Sequence, residues 1–148
     1  MKSVTNLGSS NNPNSGSLYS LQKGKIPPQA VDLEEIVLGA MMIDNQGVDE
    51  VIDILHSNVF YKDTHKAIFE AIISLFEKQE PIDLKTVSYQ LKKDSKLSFI
   101  GGDVYLIGLT QKVSSSAHIE FHSRIILQKY IQRRLIQISN EIIENSYD

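Results

Sequence analysis

The chain has 148 residues, 41% of them hydrophobic, with no Cys, no Trp and a formal net charge of −3. This suits one soluble domain of ordinary size. It removes disulfides and thiolate metal sites, fits a reducing cytoplasm, and argues against a dedicated nucleic-acid binder, whose affinity rests on phosphate neutralisation. No apolar run approaches the ~20 residues of a membrane span, and the first 21 residues lack the charged-then-apolar layout of a secretory signal.

Residues 1–25 repeat Ser, Asn and Gly without periodicity and read as a disordered tail, because they offer too little apolar area to offset their ordering entropy. Pro27-Pro28 then stiffens the chain ahead of a globular helical subdomain, 26–116. Leu33, Ile36, Val37, Ala40 and Met41 recur at helical spacing, with Asp32 as the N-cap and Glu34 and Glu35 in the first turn. Asp44, Asn45 and Gly47 break that pattern, and a short helix carrying Val48, Val51, Ile52 and Leu55 follows. Asp63 or Thr64 caps a third helix whose apolar face holds Ile68, Phe69, Ile72, Ile73 and Phe76. Pro81-Ile82-Asp83 is a stop and then a cap, opening a fourth helix over 84–93 with Val87 and Leu91 inward. Gly101-Gly102 marks a tight turn before a fifth helix, 104–112, and Val113-Ser114-Ser115-Ser116 breaks the chain again. No segment alternates as a half-buried strand does. The expected class is all-α: about five helices in a bundle, then one long helix.

That last helix, 117–147, has apolar residues on two sides. At ~100° per residue, Ile125, Ile136 and Ile143 fall within roughly 20° of one another; Leu127, Ile131, Leu135, Ile138 and Ile142 lie roughly 200–280° around. A surface helix needs only one apolar stripe. The helix is therefore expected to pack on its own domain with one side and on a partner, or on sequence beyond Asp148, with the other. The expectation is an interaction module cut from something longer.

Chemistry-bearing motifs are sparse. Neither a G-x-x-x-x-G-K-[ST] phosphate loop nor a G-x-G-x-x-G turn occurs. Gly101-Gly102 reads as a helix-start turn rather than an anion cradle. His118 and His122 have the i, i+4 spacing of zinc ligands but lack H-E-x-x-H and any Cys, and read as two half-buried histidines. His65 reads as a packing or capping residue. The third and fourth helices imitate a helix-turn-helix, yet Leu84-Lys85-Thr86-Val87-Ser88 offers base edges little beyond one Lys. Lys129, Arg133 and Arg134 form the one basic cluster on a helix, as a solvated patch or an interface element.

The run from Ile26-Pro27-Pro28 through Asp32-Leu33-Glu34-Glu35 to Met41-Met42-Ile43-Asp44 closely resembles the opening of the bacterial replicative DNA helicases of the DnaB-like family. Further matches follow in register: Phe60-Tyr61 with His65, Lys66, Ile68 and Phe69; Pro81-Ile82-Asp83-Leu84; Gly101-Gly102 with Tyr105-Leu106; and Arg133-Arg134-Leu135-Ile136. The resemblance covers residue 26 to about residue 148 and leaves only the tail aside.

The resemblance implies a helical bundle followed by a helical hairpin, of which 117–148 is the first arm and the second lies beyond Asp148. A linker and a RecA-like ATPase domain would follow, holding ATP and Mg²⁺, so that no cofactor is expected in residues 1–148. It also implies hairpins pairing between subunits into a trimer-of-dimers collar on a hexameric ring, and docking of the C-terminal helicase-binding domain of primase. By this resemblance Tyr105, Ile136 and Ile142 match positions linked to the primase contact, with Arg133 and Arg134 beside Ile136. The implied location is the bacterial cytoplasm, with neither DNA nor membrane contact by this domain. Many members carry a Pro where Val113-Ser114-Ser115-Ser116 stands, a departure at the start of the long helix. With the second arm absent the pairing surface is incomplete. Two other classes stay open at this point: a free-standing helical adaptor that clamps a helicase or its loader, and a helix-turn-helix regulator.

Overall fold

In the computed structural model residues 25–148 are described, and they form seven α-helices and one 3-10 turn, with no strand among them. The Ser/Asn/Gly-rich tail thus lies, apart from Lys25, outside the described residues. The helices are α1 (Val31–Ile43), α2 (Asn45–Val51), α3 (Asp63–Glu77), α4 (Leu84–Lys93), α5 (Leu97–Ile100), α6 (Gly102–Gln111) and α7 (Ile119–Tyr147); the 3-10 turn is Ser57–Val59.

Helix α1 is the hub. Val37, Leu38, Ala40, Met41 and Met42 are all buried, and α2, α3, α4, α6 and α7 pack around them. A helix apolar on most sides belongs in the middle of a bundle. Its N-cap position falls on Ala30, without a side-chain cap, so Asp32 lies inside the first turn and is not the cap. The chain turns at Asp44, whose carboxylate accepts from the Gln46 N–H at 3.0 Å and opens α2. Helix α4 has the expected start: Asp83 accepts from the Thr86 N–H and the Thr86 hydroxyl oxygen accepts from the Asp83 N–H, both at 2.9 Å.

The start of α3 departs from expectation. Its N-cap position is Lys62, and neither Asp63 nor Thr64 caps the helix; Asp63 instead pairs with Lys66 at 3.4 Å. The polar groups there are met by a carboxylate from another helix, described below. Helix α5 was not expected, since four residues are too few to show a period. Gly101 and Gly102 have φ of 106° and 75°, the left-handed region where a side chain is strained, and α6 follows directly.

Helix α7 docks through Ile119, Ser123 and Ile126, which are buried, with Leu127 and Tyr130 packed at the edge of the core. By the helical period this docking face lies between the two apolar stripes, roughly 100–160° around from Ile125. The expectation that one stripe faces the domain is therefore corrected. The docked face includes a Ser, so it carries less apolar signal than either stripe. In residues 134–148 every residue is exposed except the half-buried Asn140.

Where α1 crosses α6 the backbones nearly touch. A Cβ built at Gly39 would lie 2.3 Å from the Leu109 carbonyl oxygen and 2.5 Å from Val113 Cγ2. Gly39→Ala must push two helices apart, and overpacking of this kind costs about 1–3 kcal/mol. Urea denaturation followed by helical circular dichroism should show that loss, while Gly108→Ala, where added bulk meets open space, should not.

Candidate functional site

Glu34 sits one turn into α1 with none of its surface exposed. Its Oε2 accepts from the Tyr61 N–H at 2.8 Å, and its Oε1 from the Lys62 N–H at 3.5 Å, at the segment leading into α3. His65 Nδ1 lies 2.8 Å from the same Oε1, and His65 Nε2 lies 2.5 Å from the Tyr105 hydroxyl on α6. A carboxylate only accepts, so the network assigns Nδ1–H as donor to Glu34 and leaves Nε2 to accept from the Tyr105 O–H. Burial, joined by the charges of Glu35 and Glu34, pushes the Tyr105 hydroxyl up to about 12 and keeps it a neutral donor. One carboxylate thus joins α1 to the start of α3, and His65 carries the connection on to α6.

Arg133 holds the other side of the same segment. One guanidinium nitrogen donates to the Pro28 carbonyl at 2.8 Å and another to the Val59 carbonyl at 2.9 Å. The cation lies 5.4 Å from the Tyr61 ring centre and 5.8 Å from that of Tyr130. Burial holds its pKa below the usual value, against the opposing pull of Glu34, Tyr61 and Tyr130. Lys112 pairs with Glu35, tying the end of α6 to α1. Ser116 donates to Asp44 at 2.5 Å, which secures the Ser-rich stretch leading into α7.

Above this clamp runs an open groove of about 1260 Å³, lined among others by Ile26, Pro28, Tyr61, Arg133, Ile136 and Ile143. Of the residues singled out in the sequence, Arg133, Arg134 and Ile136 line this groove, whereas Tyr105 and Ile142 do not. Ile136 is 46% exposed and Ile142 61%. Arg134 donates to Gln137 on its own helix. Tyr105 is half-buried, its hydroxyl directed inward to His65. Of the two readings of His65, packing or capping, the structure supports packing: the ring is buried between Glu34 and Tyr105 and does not cap α3. His118 is exposed and only His122 is half-buried, which corrects the reading of two half-buried histidines. Thr86, at the start of the helix a DNA reader would present, is engaged in its own cap.

Sequence reasoning missed Glu34 and Pro28 as parts of this arrangement. Glu34 looked like an ordinary first-turn acid, because its partners lie 27 to 31 residues away. The Pro28 carbonyl is met by a side chain 105 residues distant. No local pattern announces either.

The family model described as the DnaB-like helicase N-terminal domain matches residues 26–128. Among curated relatives, the replicative DNA helicase DnaB of Rhodothermus marinus is 41% identical over 127 residues, and that of Geobacillus stearothermophilus 36% identical over 123. The matches cover 86% and 83% of this chain but only 13% and 27% of those proteins, so the chain spans a minor part of the relatives' length. The crystal structure of the N-terminal domain of DnaB helicase from Mycobacterium tuberculosis superposes with a TM-score of 0.80 at 30% identity, covering 83% of this chain and 89% of that one. The N-terminal domain of DnaB helicase from Helicobacter pylori, described together with its interactions with primase, gives 0.67 at 25% identity, covering 90% and 98%.

Two outcomes follow from the buried network. Glu34→Ala leaves buried donors unpaired, at about 1–3 kcal/mol for such a group, and should lower stability in urea denaturation by at least that much. The raised Tyr105 value means that its contribution to stability is complete below pH 10 and is lost as pH rises toward about 12. Tyrosinate absorbance of the parent minus that of Tyr105→Phe should rise with a midpoint near 12; a midpoint near the ordinary ~10 would contradict the burial of its hydroxyl beside the Glu35 and Glu34 charges.

Proposed function

The chain belongs to the DnaB-like helicase N-terminal domain family, and on that basis we propose that it is a collar domain of a replicative helicase, which docks primase and pairs with other subunits. The alternative of a free-standing adaptor is not favoured by relatives that are replicative helicases. Under this proposal 26–116 is the globular subdomain and 117–148 the first arm of a hairpin. ATP-driven unwinding, with ATP and Mg²⁺, belongs to the RecA-like part of the helicase, and the protein works in the cytoplasm. No described helix is long and apolar enough to cross a membrane.

The observation that carries the proposal is the exposure of α7 after Arg133. Leu135, Ile136, Ile138, Ile142 and Ile143 are all exposed on one projecting helix, from 37% to 61%. Exposed apolar surface of this kind, here in two stripes, marks interaction sites, and its burial against partner helices is worth ~25 cal/mol per Å². A helical partner reads such a surface through anchors at i, i+3, i+4 and i+7; Ile136 and Ile143 have the i, i+7 relation. Ile142 stands about 120° around the helix from Ile136, so the two are assigned to different contacts, one over the groove and one on the outer side. Arg134 flanks them and tunes register and on-rate. The description of the H. pylori neighbour supports primase as the partner. Tyr105 is assigned an indirect part, through the shape of the α3–α6 surface.

The test is size-exclusion chromatography with light scattering, on the chain alone and mixed with the C-terminal helicase-binding domain of the cognate primase. A co-eluting complex is expected. Ile136→Asp should weaken that complex at least tenfold while leaving the helical circular dichroism signal intact. A parent chain that stays separate from primase, also when extended past the second hairpin arm, would overturn the primase assignment.

A further inference from the structure

The two adjacent arginines of α7 differ in kind, and the difference has a mechanical consequence. Arg134 bonds one turn along its own helix. Arg133 reaches two backbone segments that are remote from it and from each other: the extended lead at Pro28, 105 residues away in sequence, and the 3-10 turn at Val59, 74 residues away. Its guanidinium also lies against the rings of Tyr61 and Tyr130, and Tyr130 is edge-on to His56 at 5.2 Å. The planar fork of an arginine suits two carbonyls at once, which a lysine's single ammonium does not reproduce. The Tyr61 amide is at the same time held by Glu34. The lead, the 3-10 turn and the α3 approach therefore converge on one side chain of α7.

Its position along the helix gives this clasp leverage. Arg133 is half-buried and stands at the boundary: the buried residues Ile119, Ser123 and Ile126 precede it, and the exposed stretch begins at residue 134. From there to Tyr147 the helix projects about 21 Å at 1.5 Å per residue. A 10° change of direction at the clasp displaces the tip by about 4 Å, half the usual 8–10 Å spacing between packed helices.

We propose that Arg133 is a positioning residue: it fixes the direction in which the projecting half of α7 leaves the globular unit. Its bearing on primase docking rests on the function proposed above, but the positioning itself belongs to this chain alone and is read without any partner.

The absence of cysteine makes the measurement direct. Spin labels at Lys92→Cys on α4 and Glu144→Cys on α7, both exposed, report the distance between base and arm by pulsed electron resonance. The parent should give a narrow distribution. Arg133→Met, which keeps the apolar stem and loses the fork, should shift or broaden it by about 3 Å for every 10° of lost constraint, from the ~16 Å lever between residues 133 and 144. Arg134→Met should leave it unchanged. Arg133→Lys should fall between parent and Met, and it carries the test if the Met variant loses its helical signal. A folded Arg133 variant with the parent's distribution overturns the proposal, as does a parent distribution already as broad as the variant's. Weakened primase binding by Arg133→Met at unchanged distances would make Arg133 a direct contact and also overturn it.

Discussion

Burial of the Glu34 carboxylate sets the terms for everything packed around it. A fully buried charge is expensive unless it is paired and hydrogen-bonded. Here the Tyr61 and Lys62 amides and the His65 ring supply the donors. Once they do, the approach to α3 cannot move independently of α1, and His65 hands the same constraint to Tyr105 on α6. The apolar core contributes most of the stabilisation, yet apolar packing has no direction. The carboxylate supplies direction, because its bonds to the approach to α3 and, through His65, to Tyr105 tie α1, α3 and α6 together.

Arg133 extends that order to α7. It lies against the far side of the segment that Glu34 grips, and the charge of Glu34 is the largest influence favouring its cationic form. The polar groups that matter for shape are thus turned inward, on backbone carbonyls and amides. Among the described residues, Leu135, Ile136, Ile138, Ile142 and Ile143 are turned outward and exposed. Such a division suits a family whose members belong to replicative helicases: a firm base and an arm for partners.

Legibility in the sequence followed the range of each interaction. The stop and cap of Pro81-Ile82-Asp83 are local signals, and the start of α4 at Leu84 is legible from them. The all-α class was equally plain, since Leu33 to Met41 and Ile68 to Phe76 repeat at helical spacing. Helix α5 was too short to have a period, and the start of α3 was misread because its carboxylate comes from 28 residues upstream. The two stripes of α7 signalled more apolar surface than one domain can cover, but the docking face lies between them and includes Ser123. Within the candidate site, family resemblance pointed to Arg133, Arg134 and Ile136, which share a groove. The inward bonds of Arg133 and Tyr105 needed three dimensions to be seen.

Amide hydrogen exchange, resolved by residue, tests this account most directly. The Tyr61 amide lies outside every helix and is bonded to the Glu34 carboxylate. The account predicts that it exchanges as slowly as the amides of α1, by opening of the whole domain. It also predicts that protection along α7 drops after Arg133, with residues 134–147 exchanging through local fraying. A Tyr61 amide exchanging at loop rates, or uniform protection to the end of α7, would contradict the picture of a base locked by Glu34 with an exposed arm.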